Sequence, residues 1–186
     1  QEGRRLHQRY GEAFSSRYKG ETSVTRAVAD LNLLENLASK RGFDCDLYQE
    51  KDDRTVGITR LRMVYAQGVL LSEILPVLDH FGLIVVDEYP TTVQIPGEKE
   101  LTIITFRIRG AKDMDVQLMS RRNRLKDAIK AVVIGAIDNH AFNSLLLKAD
   151  LPWSYVALLR AYQMYFAQIG SPYSTSQMND ALTREP

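Results

Sequence analysis

From Phe43 to Arg109 the apolar residues leave helical spacing and alternate, in four stretches with one helical stretch among them. Phe43, Cys45 and Leu47 alternate with Asp44, Asp46 and Tyr48, the period-two pattern of a half-buried strand. A polar turn from Glu50 to Arg54 leads to a longer strand over 56–66, where Leu61, Met63 and Tyr65 alternate with Arg60, Arg62 and Val64. Leu71 to Phe81 reads as a helix opened by Ser72 and stopped by Gly82, with Pro76 near enough to the first turn to be tolerated. Residues 83–95 form a strand broken at Pro90, which belongs on a sheet edge because proline gives no N–H to a ladder. Pro96-Gly97-Glu98-Lys99 supplies a hairpin loop, and 101–109 is the last strand, with Ile104, Phe106 and Ile108 facing one way.

That order limits the architecture. A right-handed crossover makes strands 56–66 and 83–95 parallel, with a gap that strand 101–109 fills antiparallel to both. Strand 43–49 takes the free slot beside 56–66 as a hairpin partner. The predicted fold is α+β: a ferredoxin-like, antiparallel-rich sheet ordered 43–49, 56–66, 101–109, 83–95. Helices over 71–81 and 115–138 cover one face. Arg60, Arg62, Arg107 and Arg109 then project from the other face, on the two central strands. Like charges opposite one another on a sheet are unfavourable by up to roughly 1 kcal/mol a pair, and Asp44, Asp46 and Asp87 have the parity to offset them. The default reading is a solvated salt-bridge face. The sharper one is a surface for an anionic partner or another subunit.

Helices flank the sheet. Gly3 to about Ser16 reads as a polar helix. A second, from Thr22 or Ser23 to Lys40, places Val24, Ala27, Val28, Leu31, Leu34 and Ala38 on one stripe. Beyond Gly110 a long helix opens at Asp113 or Asp115, with Leu118, Leu125, Ile129, Val132 and Ala136 aligned. A short helix near 142–148 precedes Asp150-Leu-Pro152, a helix start. From Trp153 to Ile169 apolar residues occur almost all round, which predicts burial on several sides. Gly170 and Pro172 stop that helix, and Ser174-x-x-Gln177 is a capping-box signature for a last one ending near Arg184. The expected division is 1–42, 43–138 and 139–186.

Formal net charge is +1, so no global field argues for nucleic acid, membrane or acidic partners. A single cysteine, Cys45, excludes an internal disulfide and a multi-thiolate zinc site and fits a reducing, cytoplasmic compartment. No apolar run approaches membrane-spanning length. The start at Gln1 suggests part of a longer protein.

Two stretches carry a resemblance. Ala66-Gln-Gly68-Val-Leu70-Leu-Ser-Glu-Ile74-Leu75, with Leu78 and Gly82-Leu-Ile84, resembles the first strand-turn-helix-strand of ACT domains, modules whose loop often binds an amino acid. That resemblance makes Gln67, Gly68, Val69, Leu70 and Ser72 the candidate ligand loop. Gln67 stands where the usual acidic or amide residue would. Asp138-x-x-Ala141-Phe-Asn143, then Leu158-Leu-Arg160-Ala161-Tyr162-x-x-Tyr165 and Gln168-Ile169-Gly170-x-Pro172-Tyr173-Ser174, is similar to the large NAD-dependent glutamate dehydrogenases. Tyr10-Gly-Glu-Ala-Phe14 and Ala27-Val-Ala-Asp30 are similar to the same family. The resemblance covers essentially the whole chain and places it before the catalytic domain. It implies a parent enzyme that oxidatively deaminates glutamate with NAD, and a homo-oligomer whose other domains are this segment's partners.

No strand-associated G-x-G-x-x-G for a dinucleotide and no glycine-rich segment presenting a carbonyl-polarising lysine occurs here, so no catalytic, cofactor-binding or metal residue is assigned and NAD belongs to the parent. Cys45 has the parity of a core residue. His7, His80 and His140 share no spacing. Trp153, Tyr162, Met164, Tyr165 and Phe166 read as helix packing. Arg160 on an apolar helix calls for a buried carboxylate partner or a subunit boundary, and Arg121, Arg122 and Arg124 read as a solvated face. The leading function is a regulatory and assembly segment, inactive alone. Alternatives are an amino-acid-sensing module and, less favoured, an RNA-binding sheet, which lacks the aromatic pattern on 101–109.

Overall fold

The computed structural model describes residues 2–37, 42–65, 71–111 and 118–184. Strands β1 (Phe43–Tyr48), β2 (Thr59–Tyr65), β3 (Leu83–Val93) and β4 (Leu101–Gly110) form one sheet ordered β1-β2-β4-β3, as expected. Neighbours are antiparallel throughout, so β2 and β3 run the same way across the crossover through α4 (Leu71–His80). Alternation sets the register. Leu61 lies opposite Leu47 and Phe106, and Met63 opposite Cys45 and Ile104, giving apolar rows across three strands.

Helices α4 and α5 (Arg122–Val133) close over those rows with Leu78, Leu125, Ala128 and Ile129, joined by Phe81 just past α4, all fully or almost fully buried. Of the helix expected over 115–138, its opening at Asp113 or Asp115 lies outside the described residues, and from 118 onward the α-helix is shorter than expected. A 3-10 turn at Leu118–Arg121 leads into α5, and Gly135 stops it in the left-handed conformation that a side chain resists. Pro76 falls in the second turn of α4, not the first, and its missing N–H deprives the Ser72 carbonyl of its helical bond. Both residues lie on the exposed side of α4, which is why the loss is tolerated. Strand β3 is the expected edge strand but runs unbroken through Pro90, which faces Ile104; its irregularity lies at Val86, between the pairs Val85–Ile108 and Asp87–Arg107.

The second face of the sheet is covered as well. Helix α1 (Glu2–Tyr10) is followed by a separate α2 (Ser16–Glu21), whose start is capped by Ser15 Oγ accepting from the Tyr18 N–H at 3.2 Å. Helix α3 (Val24–Asn36) is capped by Ser23 in the same way. Tyr10, Ala13, Leu33, Leu34 and Leu37 pack on Val64, Val93, Ile95 and Ile103. The expected stripe on α3, of which Ala38 lies outside the described residues, is rotated: Val24 and Val28 are 82% and 51% exposed, and the buried side carries Asp30, Leu33 and Leu34. The Ala13 carbonyl accepts from the Gln94 N–H at 2.9 Å, tying the turn after α1 to the end of β3.

Beyond the sheet, His140 caps a 3-10 turn (Ala141–Ser144) that runs into α6 (Leu145–Lys148), which adds Leu146 and Leu147 to the core under α4 and α5. Helix α7 (Trp153–Gln168) ends where Gly170 turns left-handed; the Ser171 N–H reaches the Phe166 carbonyl at 3.0 Å. The capping box of α8 (Thr175–Arg184) is complete: Gln177 N–H to Ser174 Oγ at 3.2 Å, Ser174 N–H to Gln177 Oε1 at 2.8 Å. Contrary to expectation α7 is buried only at Val156 and Gln163. Its neighbours, α6, α8 and the 141–144 turn, are short and occupy one side. Among the described residues no helix is long and apolar enough to cross a membrane.

Candidate functional site: the sheet arginines and the carboxylate above them

The arginines come from the parity of β2 and β4, and Arg60 and Arg107 stand directly opposite each other in register. Each turns to its own acid. Arg60 Nε reaches Asp53 Oδ2 at 2.6 Å and its terminal nitrogen reaches Glu50 at 3.0 Å. Arg107 reaches Asp87 at 2.9 Å. Asp53 sits on a 3-10 turn (Asp53–Val56) and also accepts the Glu50 N–H. Burial opposes its ionisation, but the bonds from Arg60 and Glu50 outweigh it and hold the carboxyl below the ordinary range. Arg109 is exposed, opposite Ile84.

Arg62 differs from the rest. It lies under α2 and α3 with its side chain 9% exposed. One terminal nitrogen donates to Asp30 Oδ2 at 2.5 Å and the other to Thr105 Oγ1 at 2.7 Å. Asp30, fully buried, also accepts from the Tyr18 hydroxyl at 2.6 Å and Arg26 Nε at 3.0 Å. Arg26 lies over the Tyr48 ring, 4.3 Å from its centre. Burial, then the bond to Asp30, pushes the Tyr18 hydroxyl well above the ordinary tyrosine value. Two guanidinium groups thus share one carboxylate, and Arg26 Nη2 and Arg62 Nε are buried without a hydrogen-bond partner among the described residues. Three donors from α2, α3 and β2 converge on Asp30, so this arrangement ties helices to sheet.

The solvated face expected around the arginines therefore gives way to a covered one at Arg62, because Val64 and Ile103 share its parity and draw α3 down. Of the acids expected to offset the arginines, Asp87 does so. Asp44 and Asp46 instead take Lys130 and Arg122 of α5, which reach the edge strand β1, the second at 2.6 Å. In the candidate ligand loop, Gln67, Gly68, Val69 and Leu70 lie outside the described residues; Ser72 is exposed in the first turn of α4.

Sequence reasoning missed Asp30 as a partner, although an aspartate inside the apolar run of α3 was the available signal. It also missed a cleft of about 580 Å³ lined by Met119, Ser120, Arg122 and Asn123 and by Arg121, Arg124 and Asp150. There Asp150 pairs with Arg121 at 2.8 Å and Arg124 at 2.6 Å. Cys45 is buried, with its thiol pushed up by burial, as a core residue should be. Arg160 pairs with Asp138, an exposed carboxylate rather than a buried one. His140 Nδ1 accepts the Phe142 N–H at 3.2 Å. Among the described residues no group of three or more His, Cys, Asp or Glu is placed to hold a metal ion.

Three family models match along the chain: glutamate dehydrogenase helical motif 2 over residues 1–37, the glutamate dehydrogenase ACT3 domain over 42–121, and helical motif 3 over 137–186. The NAD-specific glutamate dehydrogenase of Pseudomonas aeruginosa is 32% identical over 174 residues, 93% of this chain and 11% of the relative. Those of Mycobacterium tuberculosis and Halomonas elongata are 28% and 29% identical, over 95% and 97% of this chain and 11% of each relative. The chain spans about a tenth of the length of the curated relatives it matches. The four-stranded sheet agrees with the ACT3 match, and the helices before and after it agree with the two helical motifs. The chain belongs, as one segment, to the family of large NAD-dependent glutamate dehydrogenases.

Proposed function

We propose that this chain is a non-catalytic regulatory and assembly segment of an NAD-dependent glutamate dehydrogenase, whose reaction is oxidative deamination of glutamate to 2-oxoglutarate. The observation that carries the reading is the exposed apolar side of α7, on a chain that covers 11% of its relatives' length. A surface of that kind is suited to contacts with other parts of a large polypeptide. NAD and the catalytic residues belong to the rest of the enzyme, and the other domains of the same chain and of a homo-oligomer in the cytoplasm are its partners.

The test uses the full-length polypeptide. It is expected to form NADH from NAD when glutamate is added, while residues 1–186 alone form none. Deleting residues 1–186 is expected to change oligomeric state or the response to effectors. Unchanged assembly and kinetics after the deletion would refute the role. The ACT3 match also supports a finer reading, an amino-acid effector at Gln67–Ser72. A ligand at ~100 times its dissociation constant adds ~2.7 kcal/mol, which is roughly 5–10 °C in Tm for a chain of this size. Such a shift with one amino acid would make the chain a sensor; none with any would leave a scaffold.

A further inference from the structure

Along α7 and its C-cap residue, Tyr155, Leu158, Tyr162, Tyr165 and Ile169 recur at intervals of three, four, three and four, a heptad seam. All five are 51–59% exposed. The helix is held from behind. Val156 packs with Phe142 and Leu145, and buried Gln163 donates to the Thr175 carbonyl at 3.2 Å and to Asn179 of α8. Its rotation is therefore set, with the seam turned outward. Arg160, the one charged residue of α7, is engaged by Asp138, so the seam carries no formal charge in a chain of which 25% of residues are charged. Next along the chain, α8 buries none of its residues.

We infer that in the full-length enzyme this seam is covered by an amphipathic helix of the same polypeptide from outside residues 1–186. Three observations select that occupant. The spacing fits a helix, because apolar residues at a 3.5-residue period present knobs that seat in the holes of a partner helix. The absence of charge from the seam fits a permanent contact, since surfaces that meet and part in solution are more polar. The supply is close at hand, for the chain spans 11% of the relatives it matches. The inference rests on the reading above, that this chain is a segment of such an enzyme.

The experiment places the photo-crosslinking residue p-benzoyl-phenylalanine at Tyr155 or at Tyr162 in the full-length polypeptide, with Val24, 82% exposed on α3, as a control position. Crosslinked peptides are mapped by mass spectrometry. The expected result is intramolecular: both probes link to one stretch outside residues 1–186, at positions three or four apart, and the control does not. Links to residues 153–169 of a second copy, seen as a band of doubled mass, would overturn the inference in favour of self-association. Yields no higher than at Val24 would overturn it outright. Glutamate-dependent NADH formation is measured on the same preparations. If it is present while the crosslinks fail, the covering helix is refuted and the proposed function stands. If it is absent, the proposed function falls, wherever the crosslinks map.

Discussion

Replacing Asp30 with asparagine keeps the shape of the buried carboxylate and removes its charge. Asp30 accepts from Arg62 at 2.5 Å, from the Tyr18 hydroxyl at 2.6 Å and from Arg26 at 3.0 Å, with none of its surface exposed. In the variant two largely buried guanidinium groups lose their shared counter-charge. Each already has one nitrogen without a partner among the described residues. Removing one member of a buried ion pair costs about 3–5 kcal/mol. For a protein of this length each kcal/mol moves Tm by about 2–4 °C, so the expected drop is roughly 6–20 °C. Differential scanning calorimetry of wild type and Asp30→Asn measures it, with Glu21→Gln in the exposed Arg17–Glu21 pair as control, expected to shift Tm by no more than about 2 °C. Adding Arg62→Leu to Asp30→Asn should restore part of the loss, because an apolar side chain needs no counter-charge. A drop of under 2 °C for Asp30→Asn, or a double variant weakened by the full sum of the single effects, would refute the reasoning.

Three further outcomes follow from bonds already described. Tyr18 and Tyr10 both have hydroxyls pushed above the ordinary tyrosine value, first by burial and then by bonds to Asp30 and Glu35. Unfolded tyrosines release their protons near about pH 10 while the folded ones keep them, so stability is full below that pH and falls above it. Tyr18→Phe should lessen the fall in urea midpoints between about pH 10 and 11, and Tyr10→Phe added to it should lessen it further. His140 is held below the ordinary histidine value by burial, then by Arg160 and His80, which outweigh Asp138. Its contribution is complete above about pH 6.5 and is lost as pH falls from there through the lowered value. His140→Asn, which keeps an acceptor for the Phe142 N–H, should flatten that acid slope in the same denaturation assay. Ser174→Ala removes one bond of the capping box at a cost of about 0.5–2 kcal/mol. Because α8 buries none of its residues, the effect should appear as faster amide exchange over 175–184 with little change in Tm.

The sheet was legible in the sequence because period-two alternation and the handedness of crossovers leave few ways to order four such strands. Its second face was harder to read. Val64 and Ile103 have the parity of the arginines and are the sign that this face is covered, while four arginines on the same face point toward solvent. On α3 residue type alone places Val24 and Val28 on the apolar stripe. Arg62 supplies what residue type cannot show, a buried partner that turns Asp30 inward and Val24 and Val28 outward. Helix α7 failed for a different reason. Apolarity all round does predict burial, but burial belongs to an assembly, and among the described residues the main neighbours of α7 are short and on one side. The cleft at Arg121–Arg124 depends on Asp150, the one described non-glycine residue with positive φ, and no motif announces that turn.

The contacts of α1 and α3 also bear on how the chain is made. Leaving the ribosome before the sheet, these helices carry Tyr10, Leu33, Leu34 and Leu37 without anything to cover them. Their platform is completed by Ile103, and the far anchor of Arg62 is Thr105, both on the last strand to be synthesised. A nascent chain halted before β4 therefore holds two unfinished apolar surfaces at once. Folding of this face waits on contacts some seventy residues apart in sequence, which marks it as slow to close and as a place where chaperones would engage the growing polypeptide.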